Sequence, residues 1–161
     1  MKSNKRRRIF LVLAIVWMIL IFGFSSRDGD LSGEDSGRVG RLVGEWFISG
    51  FDEWSEAKQN AFVDKVDFPI RKTAHASEYA ILGIFISGAV YEADRRKKYT
   101  LGISWLLGTL YAGTDEFHQL FVPGRSGQIR DVVIDSCGVL VGVLITGCVT
   151  NYKKKVRKKH G

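Results

Sequence analysis

Four apolar blocks, separated by strongly charged segments, dominate the pattern of this 161-residue chain. They cover about residues 9–26, 69–91, 99–121 and 131–150. A helix needs about 20 predominantly apolar residues to cross the hydrocarbon core of a bilayer, and each block approaches that length. The pattern therefore predicts an all-α integral membrane protein, folded as a single domain around a four-helix transmembrane bundle.

Three of these blocks reach spanning length only by including ionisable residues. The third, for example, is nearly pure membrane sequence over residues 100–114 and then continues into a polar end. A charge at mid-bilayer costs about 3 kcal/mol on insertion scales, so a polar end on three helices requires a reason. The polar residues of these ends are Lys72, His75 and Glu78 in the second block, Asp115, Glu116, His118 and Gln119 in the third, and Asp131 and Asp135 in the fourth.

The first block has two interpretations. It follows four consecutive basic residues at 5–8 and ends at Ser25 and Ser26, an arrangement that transmembrane helices share with cleaved signal peptides. Because the block is long for a signal peptide and no clean cleavage site follows it, we interpret it as a retained transmembrane helix. With either interpretation, the segment after this block is delivered outside the cytoplasm.

The distribution of charge orients the helices. The net charge of +7 is concentrated at residues 2–8, at 95–98 and in the basic tail 151–161, whereas the segment between the third and fourth blocks carries only Arg125 and Arg130. Since Lys and Arg are retained on the cytoplasmic side, we predict a multi-pass protein of the cell membrane with both termini in the cytoplasm. The polar ends of helices two, three and four then all face outward.

Other classes of protein fit the chain less well. Basic stripes can indicate nucleic-acid binding, but runs that directly abut apolar blocks are better explained by membrane topology, so we expect no nucleic-acid partner. Cys137 and Cys148 fall in one predicted helix, about 16 Å apart along its axis, which is too far for a disulfide. We therefore predict neither a disulfide framework nor a cysteine metal site, and no cofactor.

The external loop between helices one and two, residues 27–68, also has a helical pattern. Val39, Leu42, Val43 and Trp46 recur at helical spacing, and further aromatic residues follow. We expect one or two short amphipathic helices, which either lie at the outer membrane interface or form a lid packed on the bundle.

The polar ends should converge on a pocket, because ionisable side chains within a span face a bundle interior or a wet cavity. Residues 123–127 predict a tight turn that places Arg125 above this pocket, where a phosphate or carboxylate could bind. We expect Lys72 or Arg71 to pair with Asp131 or Asp135. The helix faces that should converge are formed by Lys72, His75 and Tyr79 with Glu78 beside them, by Asp115, His118 and Gln119 with Glu116 about a quarter-turn away, and by Asp131 and Asp135.

The residues alone leave several roles open for this pocket. His75 and His118 could form a metal site with neighbouring acids, although His-x-x-Glu on a helix is a weak signal. The same histidines could act in acid–base catalysis, since their pKa values ordinarily lie near neutrality. The polar groups could also do no more than hydrogen-bond across helices and hold the bundle together.

Four motifs that run from the first helix to the fourth resemble those of the VanZ-like family of small bacterial membrane proteins. The resemblance implies a role in the cell envelope and a link to teicoplanin-type lipoglycopeptide susceptibility. A phosphotransbutyrylase label sometimes attached to such proteins fits nothing in this sequence. The motifs are Phe24-Ser25-Ser26, Arg71-Lys72-x-x-His75-x-x-x-Tyr79-x-x-Leu82, Asp115-Glu116-x-His118-Gln119-x-Phe121-x-Pro123-Gly124-Arg125 and Asp131-x-x-x-Asp135-Ser136-x-Gly138.

These features predict a membrane protein that binds, or acts on, an anionic lipid-linked or peptidoglycan-related group at the outer leaflet, and we favour binding over catalysis. The alternative is a membrane-embedded hydrolase or transferase of lipid headgroups that uses the same pocket. Membrane lipids and a lipid-linked cell-wall intermediate are the expected partners, and self-association would help four short helices to seal a cavity. The pocket residues are Lys72, His75, Glu78, Tyr79, Asp115, Glu116, His118, Gln119, Arg125, Asp131 and Asp135.

Overall fold

A computed structural model describes residues 2–91 and 97–159, and all the regular structure in these residues is helical. The prediction of an all-α chain is therefore confirmed. Part of the predicted basic run at 95–98 lies outside the described residues. The elements are α1 (Lys2–Ser25), α2 (Gly29–Phe47), a short 3₁₀ helix (Phe51–Glu53), α3 (Glu56–Val90), α4 (Lys97–Gln119) and α5 (Ile129–Lys159).

Two of these helices are long and apolar enough to cross a membrane, α1 over Asn4–Ser25 and α5 over Ile129–Tyr152. α3 and α4 carry ionisable residues within their length, which lower their hydropathy. Large apolar side chains nevertheless remain exposed on three helices, for example Ile19 (65% exposed), Leu110 (59%) and Leu144 (50%). Exposed apolar surface of this extent marks a protein that contacts lipid or a partner, so the fold indicates a membrane protein.

The predicted start of the second helix is wrong. The second apolar block begins at Pro69, and proline suits the first turn of a helix, but α3 begins at Glu56 and Pro69 lies in its interior. Proline has no amide hydrogen to donate within the helix. The helix is continuous because its first half is packed: Val63 and Val66 lie close enough to Gly40 of α2 to contact a Cβ built there.

The predicted external loop 27–68 is thus mostly helical. It consists of α2, the 3₁₀ helix and the first turns of α3. α2 packs against α3, as a lid would, but Trp46 and Phe47 at its end are 77% and 79% exposed. The segment therefore combines both predicted properties, a packed helix and an exposed aromatic end.

α3 is the central helix, since it contacts α1, α2, α4 and α5. Its approach to α5 is so close that a Cβ at Gly138 or Gly142 would overlap a backbone carbonyl oxygen, that of Ala76 or Ala80 respectively. Small residues allow helix backbones to approach in this way. The core around this contact contains Ala14, Ile21, Tyr79, Leu82, Ile86, Ala112, Val139 and Val143.

The α3–α5 contact predicts the effect of one methyl group. We expect Gly142→Ala to lower the free energy of unfolding by about 1–3 kcal/mol, because the added Cβ forces two backbones apart. Gly102→Ala is the matched control, since nothing lies within 4 Å of a Cβ built there. Reversible unfolding in detergent micelles measures both variants. Equal stability of Gly142→Ala and Gly102→Ala would contradict the packing.

Candidate functional site

Asp115 lies at the centre of a buried polar cluster where α1, α3 and α4 meet. Its side chain is 2% exposed. One carboxylate oxygen, Oδ2, accepts hydrogen bonds from Ser25 Oγ at 2.7 Å, Tyr79 Oη at 3.2 Å and Gln119 Nε2 at 3.4 Å. The other oxygen, Oδ1, is buried without a hydrogen-bond partner among the described residues. One carboxylate therefore connects three helices.

Glu116 and Gln119 connect this cluster to the turn that follows α4. Gln119 Nε2 also donates to Glu116 Oε1 at 3.1 Å, and Glu116 Oε2 accepts from the backbone amide of Gln128 at 3.0 Å. Although Glu116 lies a quarter-turn from Asp115, the Gln119 amide contacts both carboxylates. The two acids are thus joined in one buried hydrogen-bond network.

Arg125 holds the turn after α4 against the end of α1. Its guanidinium donates to the carbonyl oxygens of Arg27 at 2.9 Å and Phe24 at 3.2 Å, and to Gln119 Oε1 at 3.4 Å. Gly124 has a φ of 69°, a left-handed conformation that favours glycine. Burial lowers the pKa of Arg125, while the nearby Asp115 carboxylate raises it; the guanidinium stays charged. A charged side chain is therefore fixed in orientation by neutral acceptors.

Lys72 on α3 pairs with Asp131 in the first turn of α5. Lys72 Nζ lies 2.5 Å from Asp131 Oδ2, and the Asp131 side chain is buried. This is one of the pairings that the sequence analysis proposed. Arg71 instead pairs with Asp67, one turn earlier on α3, at 2.9 Å, and Asp67 also accepts a hydrogen bond from Ser36 of α2.

Asp135 is a further buried carboxyl group, one turn beyond Asp131. It is 2% exposed, and its Oδ2 has no hydrogen-bond partner in the part of the chain described. Its charged neighbours are Asp115, Glu116, Asp131 and Lys72. The structure thus brings the polar ends of α3, α4 and α5 together, with four buried acids at their meeting point.

Two adjoining cavities, with volumes of about 200 Å³ and 240 Å³, open at this end of the bundle, and Asp131 lines the smaller one. Both are lined by Ser32 of α2, Arg71 and His75 of α3, and Arg125 of the turn. We call the smaller one the cationic cavity. Its lining includes Arg71, Lys72, Arg125 and Arg130, and its single acid, Asp131, is the partner of Lys72. The lining therefore has a positive net charge.

His75 lines both cavities. Its Nδ1 atom is buried without a hydrogen-bond partner among the described residues and lies 3.8 Å from Glu78 Oε2. Glu78 lines only the larger cavity. The imidazole therefore lies beside both cavities, and the described residues leave the hydrogen-bonding capacity of this buried nitrogen unsatisfied.

His118 does not join this group. Its ring stacks on Phe22 of α1, with centroids 4.3 Å apart, and its Nε2 lies 3.1 Å from Ser26 Oγ. It lines neither cavity. Helical spacing correctly predicted that His118 shares a face of α4 with Asp115. This face also contacts α1, and the His118 imidazole packs there rather than at the cavities.

The structure therefore does not bring His118 to the cavities that His75 lines. No group of three or more His, Cys, Asp or Glu residues within 2–91 and 97–159 is arranged to hold a metal ion. Three of the buried acids, Asp115, Glu116 and Asp131, are instead bound by hydroxyl, amide or ammonium groups.

Sequence reasoning missed several polar contacts of the site. Ser25 binds Asp115, Gln128 binds Glu116 through its backbone amide, and Ser32 of α2 lines both cavities. Ser25 ends an apolar block, where a serine usually marks only a helix boundary, and its hydrogen bond to the distant Asp115 is visible only in the structure. The backbone amide of Gln128 and the α2 residue Ser32 belong to no motif or helical pattern that would predict their positions.

The Lys72–Asp131 pair predicts a large loss of stability when one partner is removed. We expect Lys72→Met to lower the free energy of unfolding by about 3–5 kcal/mol, because the buried Asp131 carboxylate loses its close cation and keeps only the more distant Arg130, 3.8 Å away. Adding Asp131→Leu should recover part of this loss.

Arg71→Met is the matched control, because its pair with Asp67 is partly exposed and should contribute about 0–1 kcal/mol. Chemical unfolding in detergent measures all the variants. If Lys72→Met and Arg71→Met cost the same, the pair does not have the energetic role that its burial implies.

Comparison with known proteins identifies a family. No curated protein and no solved structure matches the chain significantly. The model of the VanZ/LLP1 family, however, matches residues 10–150, which include most of α1, all of α2 to α4, the buried acids and most of α5. This range covers most of the 161 residues and agrees with the motif resemblance. The chain therefore belongs to the VanZ/LLP1 family.

Proposed function

We propose that the chain crosses the membrane four times, over about residues 9–26, 69–91, 99–121 and 131–150, with both termini in the cytoplasm. The exposed apolar side chains of α1, α4 and α5 support this topology, as does the concentration of Lys and Arg near the termini and at 95–98. In this arrangement α2 and the cationic cavity lie at the outer face. The polar ends of the second, third and fourth spans then meet at one depth.

The function that we propose is the binding of an anionic group, carried by a lipid-linked or peptidoglycan-related component of the cell envelope, at the outer leaflet. The observation that carries this proposal is the lining of the cationic cavity. Arg71, Lys72, Arg125 and Arg130 face a single acid there, and that acid is already paired. Arginine binds phosphate and carboxylate through two parallel hydrogen bonds, which suits such a ligand.

The buried acids support this function from behind the cavity. Asp115 and Glu116 hold the Gln119 amide, whose oxygen accepts a hydrogen bond from Arg125. The acids therefore position a binding arginine through Gln119. Because Asp115 is occupied by Ser25 and Tyr79 as well, its charge competes less with a bound anion.

Lowered susceptibility to teicoplanin-type lipoglycopeptides is part of the same proposal. This part of the proposal is supported by the family resemblance alone. Binding of the anionic group at the outer leaflet is the physical link between the cavity and that phenotype.

Binding of phosphatidic acid, a lipid with an exposed phosphate, tests the proposal. We expect purified protein in phosphatidylcholine nanodiscs to bind phosphatidic acid in preference to further phosphatidylcholine, measured by native mass spectrometry. The double variant Arg71→Gln/Arg130→Gln should weaken this binding about tenfold, which corresponds to about 1.4 kcal/mol.

Arg38→Gln is the control, because Arg38 is a highly exposed arginine of α2 that lies outside both cavities. It removes a positive charge without altering the lining. Equal weakening by Arg38→Gln would show only general attraction between charges. No preference for phosphatidic acid would exclude the proposed function.

One observation favours a second candidate, a hydrolase of lipid headgroups. His75 has a buried Nδ1 atom without a hydrogen-bond partner in the described residues, and it lines the cationic cavity. We expect binding without turnover. Phosphate release from phosphatidic acid that persists in His118→Gln but is lost in His75→Gln would establish hydrolysis instead, since only His75 reaches the cavity.

A further inference from the structure

An apolar groove of about 550 Å³ runs between α3 and α5, outside the site described above. It is lined by α3 residues from Pro69 to Ala80 and by α5 residues from Val133 to Val141. Lys72 is the one charged side chain among the described residues of this lining. The groove therefore offers hydrocarbon contacts along its length and a single positive charge near one end.

The groove follows from the close packing of the two helices. Ala76 and Ala80 pack against Gly138 and Gly142 with almost no side chain between them. Ala76, Ala80 and Gly138 are also groove residues, and Ser77 beside them is small and exposed. A contact made of small residues leaves a depression beside it, because no large side chain projects over the seam.

The groove and the cationic cavity meet at Lys72, which lines both. Its ammonium group is held by Asp131 at the start of α5. A molecule that enters the cavity with a negatively charged head can therefore continue directly into an apolar channel. The cationic cavity and the apolar groove lie one after the other. This order is complementary to an amphiphile that has an anionic head and an apolar chain.

The length of the groove fits one leaflet of a bilayer. Pro69 and Ala80 are separated by about 16 Å along α3, at about 1.5 Å per residue. Half of a hydrocarbon core of about 30 Å is about 15 Å. α5, which forms one wall, is also one of the two helices long and apolar enough to cross a membrane. The groove is thus placed to open towards lipid.

We propose that the ligand is a membrane lipid with a phosphate headgroup, which binds with the phosphate in the cationic cavity and one hydrocarbon chain in the groove, with Lys72 at the junction. This inference rests on the proposed function and assigns its ligand class. A soluble phosphate ester would fill the cavity alone and leave the groove without a role. A lipid enters sideways from the bilayer and uses both.

Filling the groove tests this assignment. Ser77→Phe places a ring in it, and Ser77 is exposed, with a hydroxyl that bonds only to the Thr73 carbonyl of its own helix. We expect this variant to bind phosphatidic acid about tenfold more weakly, the effect of displacing about two methylene groups. Its binding of glycerol 3-phosphate, a soluble phosphate ester, should not change. Leu144→Phe is the control, because Leu144 is exposed on α5 outside the groove.

Photo-crosslinking gives a second measurement that does not depend on a variant. Phosphatidic acid with a diazirine in one acyl chain should label peptides that contain Ser77 or Cys137, several times more than phosphatidylcholine with the same chain. Cys148 provides an internal comparison, since it is exposed on the same helix but outside the groove. Equal labelling around Cys137 and Cys148 by both lipids would overturn the assignment.

The outcomes separate the two proposals. If wild-type protein binds neither glycerol 3-phosphate nor phosphatidic acid, the proposed function fails. If it binds both, and Ser77→Phe weakens neither, only the groove assignment fails. If Ser77→Phe instead dissociates a dimer in size-exclusion chromatography, the groove is occupied by a second copy of the chain and the lipid assignment is wrong.

Discussion

A carboxylate that is withdrawn from water must find compensating donors, and this requirement organises the fold. Asp115 obtains its donors from three helices, through Ser25, Tyr79 and Gln119. Because these donors come from α1, α3 and α4, the helices can satisfy the carboxylate only when they are assembled together. The Lys72–Asp131 pair does the same between α3 and α5. The polar residues that make the helices poor membrane sequences are thus also the groups that hold them together.

The same network explains how a stabilising cluster can serve a binding site. Gln119 receives its orientation from two buried acids and passes it to Arg125, which is also bound by two carbonyl oxygens. The guanidinium would therefore lose little freedom on binding the proposed anion, which favours affinity. Under the proposed function, the hydrogen bonds between helices would prepare Arg125 for the anion, so the two roles do not compete.

Much of this arrangement could be predicted from the sequence, because helical spacing determines which residues share a face. Lys72 and Asp131, for example, lie in the polar ends of two helices that the sequence places at the same depth, and the structure pairs them. The position of His118 could not be predicted, since spacing defines a face but not which of two neighbouring helices it meets. Pro69 was placed wrongly because the packing of α2 on α3, a tertiary contact, extends the helix past a residue that usually starts one.

Asp67 accepts from Ser36 of the lid helix α2 and from Arg71 of the cationic cavity. The Asp67 carboxylate therefore binds both α2, through Ser36, and a residue that lines the cavity, Arg71. Ser36 and Arg71 contact different oxygens of this carboxylate, so neither has to leave for the other to bind. A ligand that recruited Arg71 would therefore leave Asp67 bound to Ser36, and the same side chain would still hold α2 against α3.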